Sequence, residues 1–418
     1  MGCIRWTTEE IGRTAGSARL VAALTLVGIL VVVAAIVPSQ AAAQQPGKVN
    51  LQLNASSEFD SVLSSASPAE QEFMQQNYWR MRGYAPFFNQ ALGWAPPAHF
   101  YKDLYALYRN DAKDEVLMTA HPDWVLRDAN GNRLYIQFAC GAGSCTQYAA
   151  DIGSPAFREH WINDAKTTLG LGYEGIFVDD VNMEMKVSDG NGDFVRPIDP
   201  RTGQPMTDED WRRYVAEFTE QIRAALPSAE IVHNSLWWMD RGDPYVQRQV
   251  AAADYVELER GFSDTGIVGG GGQWGYETYL SYVEWLHSQG AGAVYEPQEL
   301  DEQSRMFELG SYFMVSDGND SIASDYETAP GEWWTGWETD LGAPKGERRE
   351  WKGLLRRDFE GGTVLVNQPG AAATTVKLPR RQWSDPTAAK IKRRVTLGER
   401  SALVLVRGAK LKKRGAKK

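Results

Sequence analysis

The chain is poor in cysteine and histidine, with 3 Cys and 5 His among 418 residues. The histidines (99, 121, 160, 233 and 287) form no His-x-His or His-Glu-x-x-His arrangement, and no cysteine set has zinc spacing. That disfavours a metal-dependent hydrolase. No Gly-x-Gly-x-x-Gly fingerprint or phosphate loop follows an early apolar run, which weakens a nucleotide-binding open sheet. Positive charge is not in excess either: the formal net charge is −10, which argues against a nucleic-acid binder. No cofactor is implied.

What is present is an apolar content of 43% and 15 Trp, enough for a large core. The charge is segregated: residues 1–43 carry +1, 44–344 carry −26 and 345–418 carry +15. The first part reads as a targeting segment, because apolar 21–37 follow Arg5, Arg13 and Arg19 and lead into small residues ending at Ala43. A signal peptide cleaved near Ala43 and an uncleaved membrane anchor are the two readings, and either places the rest outside the cytoplasm. Cys140 and Cys145, in Cys-Gly-Ala-Gly-Ser-Cys, are then expected to form one disulfide closing a small loop.

Residues 44–75 read as a linker and a first helix. From 76 to 344, apolar runs alternate with amphipathic stretches, which indicates a parallel sheet with helices outside it. The expected strands are Tyr84–Asn89, Glu115–Ala120, Leu134–Phe138, Gly175–Asp179, Glu230–Ser235, Tyr255–Glu259, Ala291–Tyr295 and Tyr312–Ser316, with helices at 97–110, 155–170, 207–226, 275–289 and 300–310. Carboxylates, amides and His recur where these runs end, and such ends meet at one face of a (β/α)8 TIM barrel, where active sites are built. Residues 345–407 read as a small antiparallel β domain, and 408–418 as a disordered basic tail.

Two acidic strand ends carry the chemistry. In Gly175-Ile-Phe-Val-Asp-Asp180, Phe177 and Asp179 share one face, while Val178 and Asp180 share the other. In Tyr255-Val-Glu-Leu-Glu-Arg260, Tyr255, Glu257 and Glu259 share a face. An Asp and a Glu from two strand tips are what glycosidic cleavage requires, one as nucleophile or base and the other as proton donor. An ion-pair network around Arg260 is the structural alternative.

Gly175-Ile-Phe-Val-Asp-Asp-Val-Asn182 resembles the nucleophile strand of retaining barrel glycosidases, and 84–320 resembles hypothetical bacterial glycoside hydrolase families. His121-Pro-Asp-Trp124, Asp128-Ala-Asn-Gly131 and Asp151-Ile-Gly-Ser-Pro155 add to the likeness. It implies Asp179 as nucleophile and Glu259 as acid/base, with the doubled Asp leaving Asp180 as the alternative nucleophile. His121, Asp123, Trp124, Asp180, Asn234, Trp237, Glu257, Trp274, Tyr295 and Glu296 are the expected substrate contacts, aromatic faces being suited to sugar C–H surfaces. The runner-up is a carbohydrate-binding or cell-envelope barrel without catalysis. The expected partners are a carbohydrate and, through the basic tail, an anionic envelope polymer.

Overall fold

A computed structural model describes residues 46–54, 63–141, 144–297, 301–324, 327–380 and 383–408. The targeting segment and residues 409–418 of the basic tail lie outside them. Eight parallel strands close a barrel: β1 (Leu51–Asn54), β2 (Arg80–Gly83), β3 (Ala98–Asp103), β4 (Gly175–Asp179), β5 (Glu230–Asn234), β6 (Tyr255–Arg260), β7 (Gly292–Pro297) and β8 (Ser321–Ser324). Each pairs with its neighbours in sequence, and β8 closes on β1 through Leu51 opposite Ile322. The expected TIM barrel with a C-terminal antiparallel part is therefore what the chain forms.

Helices α1 (Pro68–Asn77), α2 (Ala112–Ala120), α3 (Pro155–Leu169), α4 (Asp208–Ala225), α5 (Pro244–Ala251), α6 (Tyr276–Gln289) and α7 (Glu302–Val315) lie between the strands. Local chemistry starts them. Ser154 caps α3 ahead of Pro155, and Thr207 with Asp210 forms a capping box on α4. The buried stripe Trp211, Tyr214, Val215, Phe218 and Ile222 then fixes α4 to the wall by its 3.6-residue period.

Strands β4 to β7 follow the sequence expectation, whereas β1 to β3 and β8 do not. Strand β1 falls inside the stretch read as linker, because Gln52 and Asn54 are buried within the barrel, where Gln52 donates to Asn54 at 2.9 Å. Strand β3 occupies part of the stretch read as helix 97–110. The expected strand Tyr84–Asn89 contains a 3-10 turn (Phe87–Ala91), and Glu115–Ala120 belongs to α2, which Asp111 caps. Of Leu134–Phe138, only Tyr135–Ile136 is strand, in a small antiparallel sheet outside the barrel. The expected strand Tyr312–Ser316 is mostly the end of α7, and β8 follows it.

The C-terminal sheet contains β9 (Arg349–Trp351), β10 (Leu354–Asp358), β11 (Gly362–Asn367), β13 (Trp383–Ser384) and β15 (Ser401–Arg407), in the order β9-β10-β11-β15-β13. A separate two-stranded antiparallel sheet is formed by β12 (Thr374–Lys377) and β14 (Arg394–Leu397). Val364, Val366 and Val404 join the main core with Tyr312 and Phe313 of α7. Gly310 permits this contact, since a Cβ there would lie 2.3 Å from that of Ala402. Cys140 and Cys145 form the expected disulfide.

Candidate active site

Strand alternation gives the barrel two sets of side chains. Phe177, Val232, Tyr255, Val294 and Ala323 pack together inside, with Trp79 and Tyr101 against them. Residues two positions further along β3 to β7 are Asp103, Asp179, Asn234, Glu257 and Glu296, with Glu259 at the rim, so the C-terminal mouth is rich in carboxylates.

Asp179 is held on both oxygens. Its Oδ1 accepts from Asn234 Nδ2 and from the Asp180 backbone N–H, each at 2.8 Å, and its Oδ2 accepts from the Tyr101 hydroxyl at 2.5 Å. Three donors fix the carboxylate and leave acceptor capacity for a reacting atom. Asp180 takes a left-handed conformation (φ 55°) and accepts from Asn182 at 2.9 Å. Burial, then the charge of Asp179, pushes its pKa up to about 7.

The buried Asp103 accepts the Tyr105 and Ala106 N–H groups on Oδ1 at 2.7 Å, while among the described residues its Oδ2 accepts no hydrogen bond. Burial first, then Asp180 and Asp179, holds this carboxyl well above the usual range.

A second pair sits across the mouth. Arg82 donates to Glu257 at 2.5 Å and to Glu296 at 2.8 Å, and Asn54 donates to Glu296 at 2.7 Å. Burial raises the pKa of Glu257 far above normal despite Arg82. Glu296 is lowered: burial opposes ionisation, but Arg82 and Asn54 outweigh it. The two carboxyls are thus pushed in opposite directions around one cation, and the Arg82 guanidinium lies 4.1 Å from the Phe177 ring centroid. Glu259 reaches solvent at the end of β6, yet partial burial, followed by Glu296 and Asp179, raises its pKa.

The loops supply aromatics. Trp238 and Trp274 lie 4.7 Å apart, and Trp237 packs on Trp274 at 5.8 Å and Tyr279 at 4.8 Å. Trp274 is the exposed member, whereas Trp237 is buried beneath it. Tyr84 stacks 4.6 Å from Tyr101 on the side of β2.

Several expected contacts are elsewhere. Trp124 is buried against Phe157 and His160 of α3, with His121 stacked on it at 4.0 Å and Asp123 facing solvent. These residues belong to the long connection between β3 and β4 and pack on α3. Tyr295 is fully buried against Phe262, since it alternates with Glu296 and faces the helices. Arg82, Tyr101, Asp103, Asn54 and Tyr84 were missed; the period-2 pair Arg80 and Arg82 was their available sequence signal. Among the described residues, His287, Asp317 and Asp320 have metal-ligand spacing, but they lie toward the opposite end, where His287 bonds Asp320 at 2.8 Å and Asp320 accepts the Ala293 N–H.

Fold and mouth together define a (β/α)8 barrel with a carboxylate-lined C-terminal face. No protein-family model matches the chain, and no curated protein matches it. Among solved structures, it is similar to the glycoside hydrolase domain of PelA from Pseudomonas aeruginosa, at 14% identity and TM-score 0.40, over 66% of this chain and 94% of that one. It is also similar to a debranching enzyme of Nostoc punctiforme (12% identity, TM-score 0.45, 86% and 98%) and to the maltogenic alpha-amylase AmyB from Thermotoga neapolitana (11%, 0.46, 86% and 98%). Likeness this distant does not assign an activity, which has to be argued from the carboxylates themselves.

Proposed function

We propose that the protein is a glycoside hydrolase of poly- or oligosaccharides, with Asp179 as nucleophile and Glu259 as acid/base. The observation that carries this reading is the contrast between two carboxyls of the mouth: Asp179 is clamped by three donors, and Glu259 stands at the rim with a raised pKa. Environments that differ in this way separate an attacking group from a proton donor.

In the first step Glu259 gives its proton to the glycosidic oxygen as the C–O bond breaks, and Asp179 bonds to the anomeric carbon. In the second, Glu259 takes a proton from water, whose oxygen displaces Asp179. Asp180, turned toward Asn182 and Asp103, is better suited to tuning this charge than to attack. Trp274 and Trp238 offer faces for the sugar, with Asn234, Glu296 and Arg82 around it.

The charges of Arg260 and Arg82 lower the pKa of Glu259 but do not outweigh its burial and the charges of Glu296 and Asp179. Export through residues 1–43 is part of the same reading. Among the described residues no helix is long and apolar enough to cross a membrane. The test is to screen the 44–418 chain against α- and β-linked polysaccharides beside Asp179→Asn: the reading expects sugar release by the parent alone, and equal release by both would overturn it.

A further inference from the structure

The two faces of the C-terminal sheet have different fates. One face, with Val364, Val366 and Val404, is buried against the barrel's helices. The other begins as an apolar cluster, with Leu354, Leu365, Val376, Leu378, Trp383 and Leu405. It then opens into a cavity of about 480 Å³ to which Lys345, Arg349, Arg356 and Arg407 contribute, against a single carboxylate, Asp358. That volume lies in the range of ligand sites, roughly 300–1,000 Å³.

Only part of the charge in this cavity is paired within the fold. Arg349 and Arg356 are directly opposite each other on β9 and β10, a placement that costs stability for like charges. Asp358 accepts from both, at 2.6 and 2.7 Å, and Thr363 donates to it at 2.8 Å, so this carboxylate is already engaged. Among the described residues Lys345 and Arg407 have no carboxylate partner. The Nε of Arg407 is buried without a hydrogen bond, and its Nη2 makes one long contact of 3.4 Å to the Phe359 carbonyl. A buried guanidinium donor without an acceptor is costly unless a ligand completes it.

We propose that this cavity binds the carboxylate of a uronic-acid unit in an acidic polysaccharide, with Arg407 and Lys345 pairing the anion and the apolar wall at Leu365 and Leu405 meeting the sugar's C–H face. A guanidinium fork matches a carboxylate in shape and charge. The saccharide part rests on the glycosidase reading, whereas the capture of an anion rests on the cavity alone. The −26 barrel stretch repels a polyanion and the +15 segment attracts it, so the site acts as a tether separate from the catalytic mouth.

The test is calorimetric binding of trigalacturonate, maltotriose and inorganic phosphate to the full chain, Arg407→Gln and Lys345→Gln. All three proteins carry Asp179→Asn to prevent turnover, and thermal melting is the folding control. Trigalacturonate should bind, and each cavity substitution should weaken it about tenfold or more, the loss expected for a charge-assisted bond. Maltotriose should not bind there. Unchanged affinity in both cavity variants, or maltotriose binding sensitive to them, would overturn the proposal. Phosphate binding as tightly as trigalacturonate would overturn its saccharide part. Hydrolysis does not enter the readout, so a blank polysaccharide screen with trigalacturonate still captured would strike the glycosidase reading alone.

Discussion

At the N-terminal end of the barrel, Arg80 donates to Glu230 at 2.6 and 2.8 Å and His99 bonds the same carboxylate at 2.9 Å. At the C-terminal end, Asp103, Asp179, Asp180, Glu257, Glu259 and Glu296 share the barrel mouth with the half-buried Arg82. Burial alone would raise Glu230, yet its two partners bring its pKa down to about 2. The same burial at the other end leaves Asp103, Asp180, Glu257 and Glu259 raised, because cations are too few. The floor pairs its buried carboxylate with cations, and the opposite mouth leaves several carboxyls raised, the pattern on which the proposed function rests.

Breaking the mouth chemically has the largest expected effect. Asp179→Asn should lower kcat on the order of 10³-fold or more, since it removes the group proposed to bond to the reacting carbon. Glu230→Gln should lower the melting temperature while kcat at moderate temperature stays near the parent value. Equal kcat losses in both would erase the distinction between the two ends.

The two arginines sharpen the comparison. Arg80→Met and Arg82→Met each remove one partner of a buried ion pair, and urea unfolding should show about 3 kcal/mol lost in each. Only Arg82→Met should also move the pH–rate profile, because Arg82 lowers the pKa of Glu259 and its loss lets that pKa rise further. A shift of equal size in Arg80→Met would contradict the assignment.

Stability against pH should divide in the same way. Glu230, with its lowered pKa, stabilises above the ordinary glutamate pKa, and that contribution is lost as pH falls from about 4.5 toward 2. Asp180, raised to about 7, works in the other direction: its contribution is present below about 3.8 and is lost as pH rises toward 7. Melting curves across pH should therefore show Glu230→Gln flattening the acid limb and Asp180→Asn flattening the decline toward neutrality.

A smaller effect is expected where the C-terminal part grips the β6 loop. Arg400 donates to the Asp264 carbonyl at 2.9 Å, the Thr265 carbonyl at 2.9 Å and the Ile267 carbonyl, and Gln368 accepts the Gly270 N–H. Gly269 permits the approach, since a Cβ there would sit 2.4 Å from the Pro369 carbonyl. The loop continues to Trp274, so Arg400→Ala should raise KM about two- to fivefold with little change in kcat, the loss of a positioning contact.

The same division explains what was legible in the sequence. Strands β4 to β7 alternate or run apolar, so Ile176, Val178, Val232, Val256 and Leu258 announced them, and Asp179 and Glu259 stood at their tips. Strands β1 to β3 turn Gln52, Asn54, Arg80, Arg82, His99 and Asp103 inward, which erases the apolar period on which strand recognition depends. Asp103 and Arg82 could not be assigned while their strands were unread. Tyr295 and Trp124 were aromatics in plausible places, and only the direction each faces separates core from cleft.

The assignment of roles is tested most directly by a change of leaving group. With an aryl glycoside of the sugar that the screen identifies, departure of a nitrophenolate needs no proton donor. Glu259→Gln should then retain turnover of the aryl glycoside far better than turnover of the natural linkage, while Asp179→Asn loses both. Equal losses on the two substrates in Glu259→Gln, or survival of either activity in Asp179→Asn, would contradict the account.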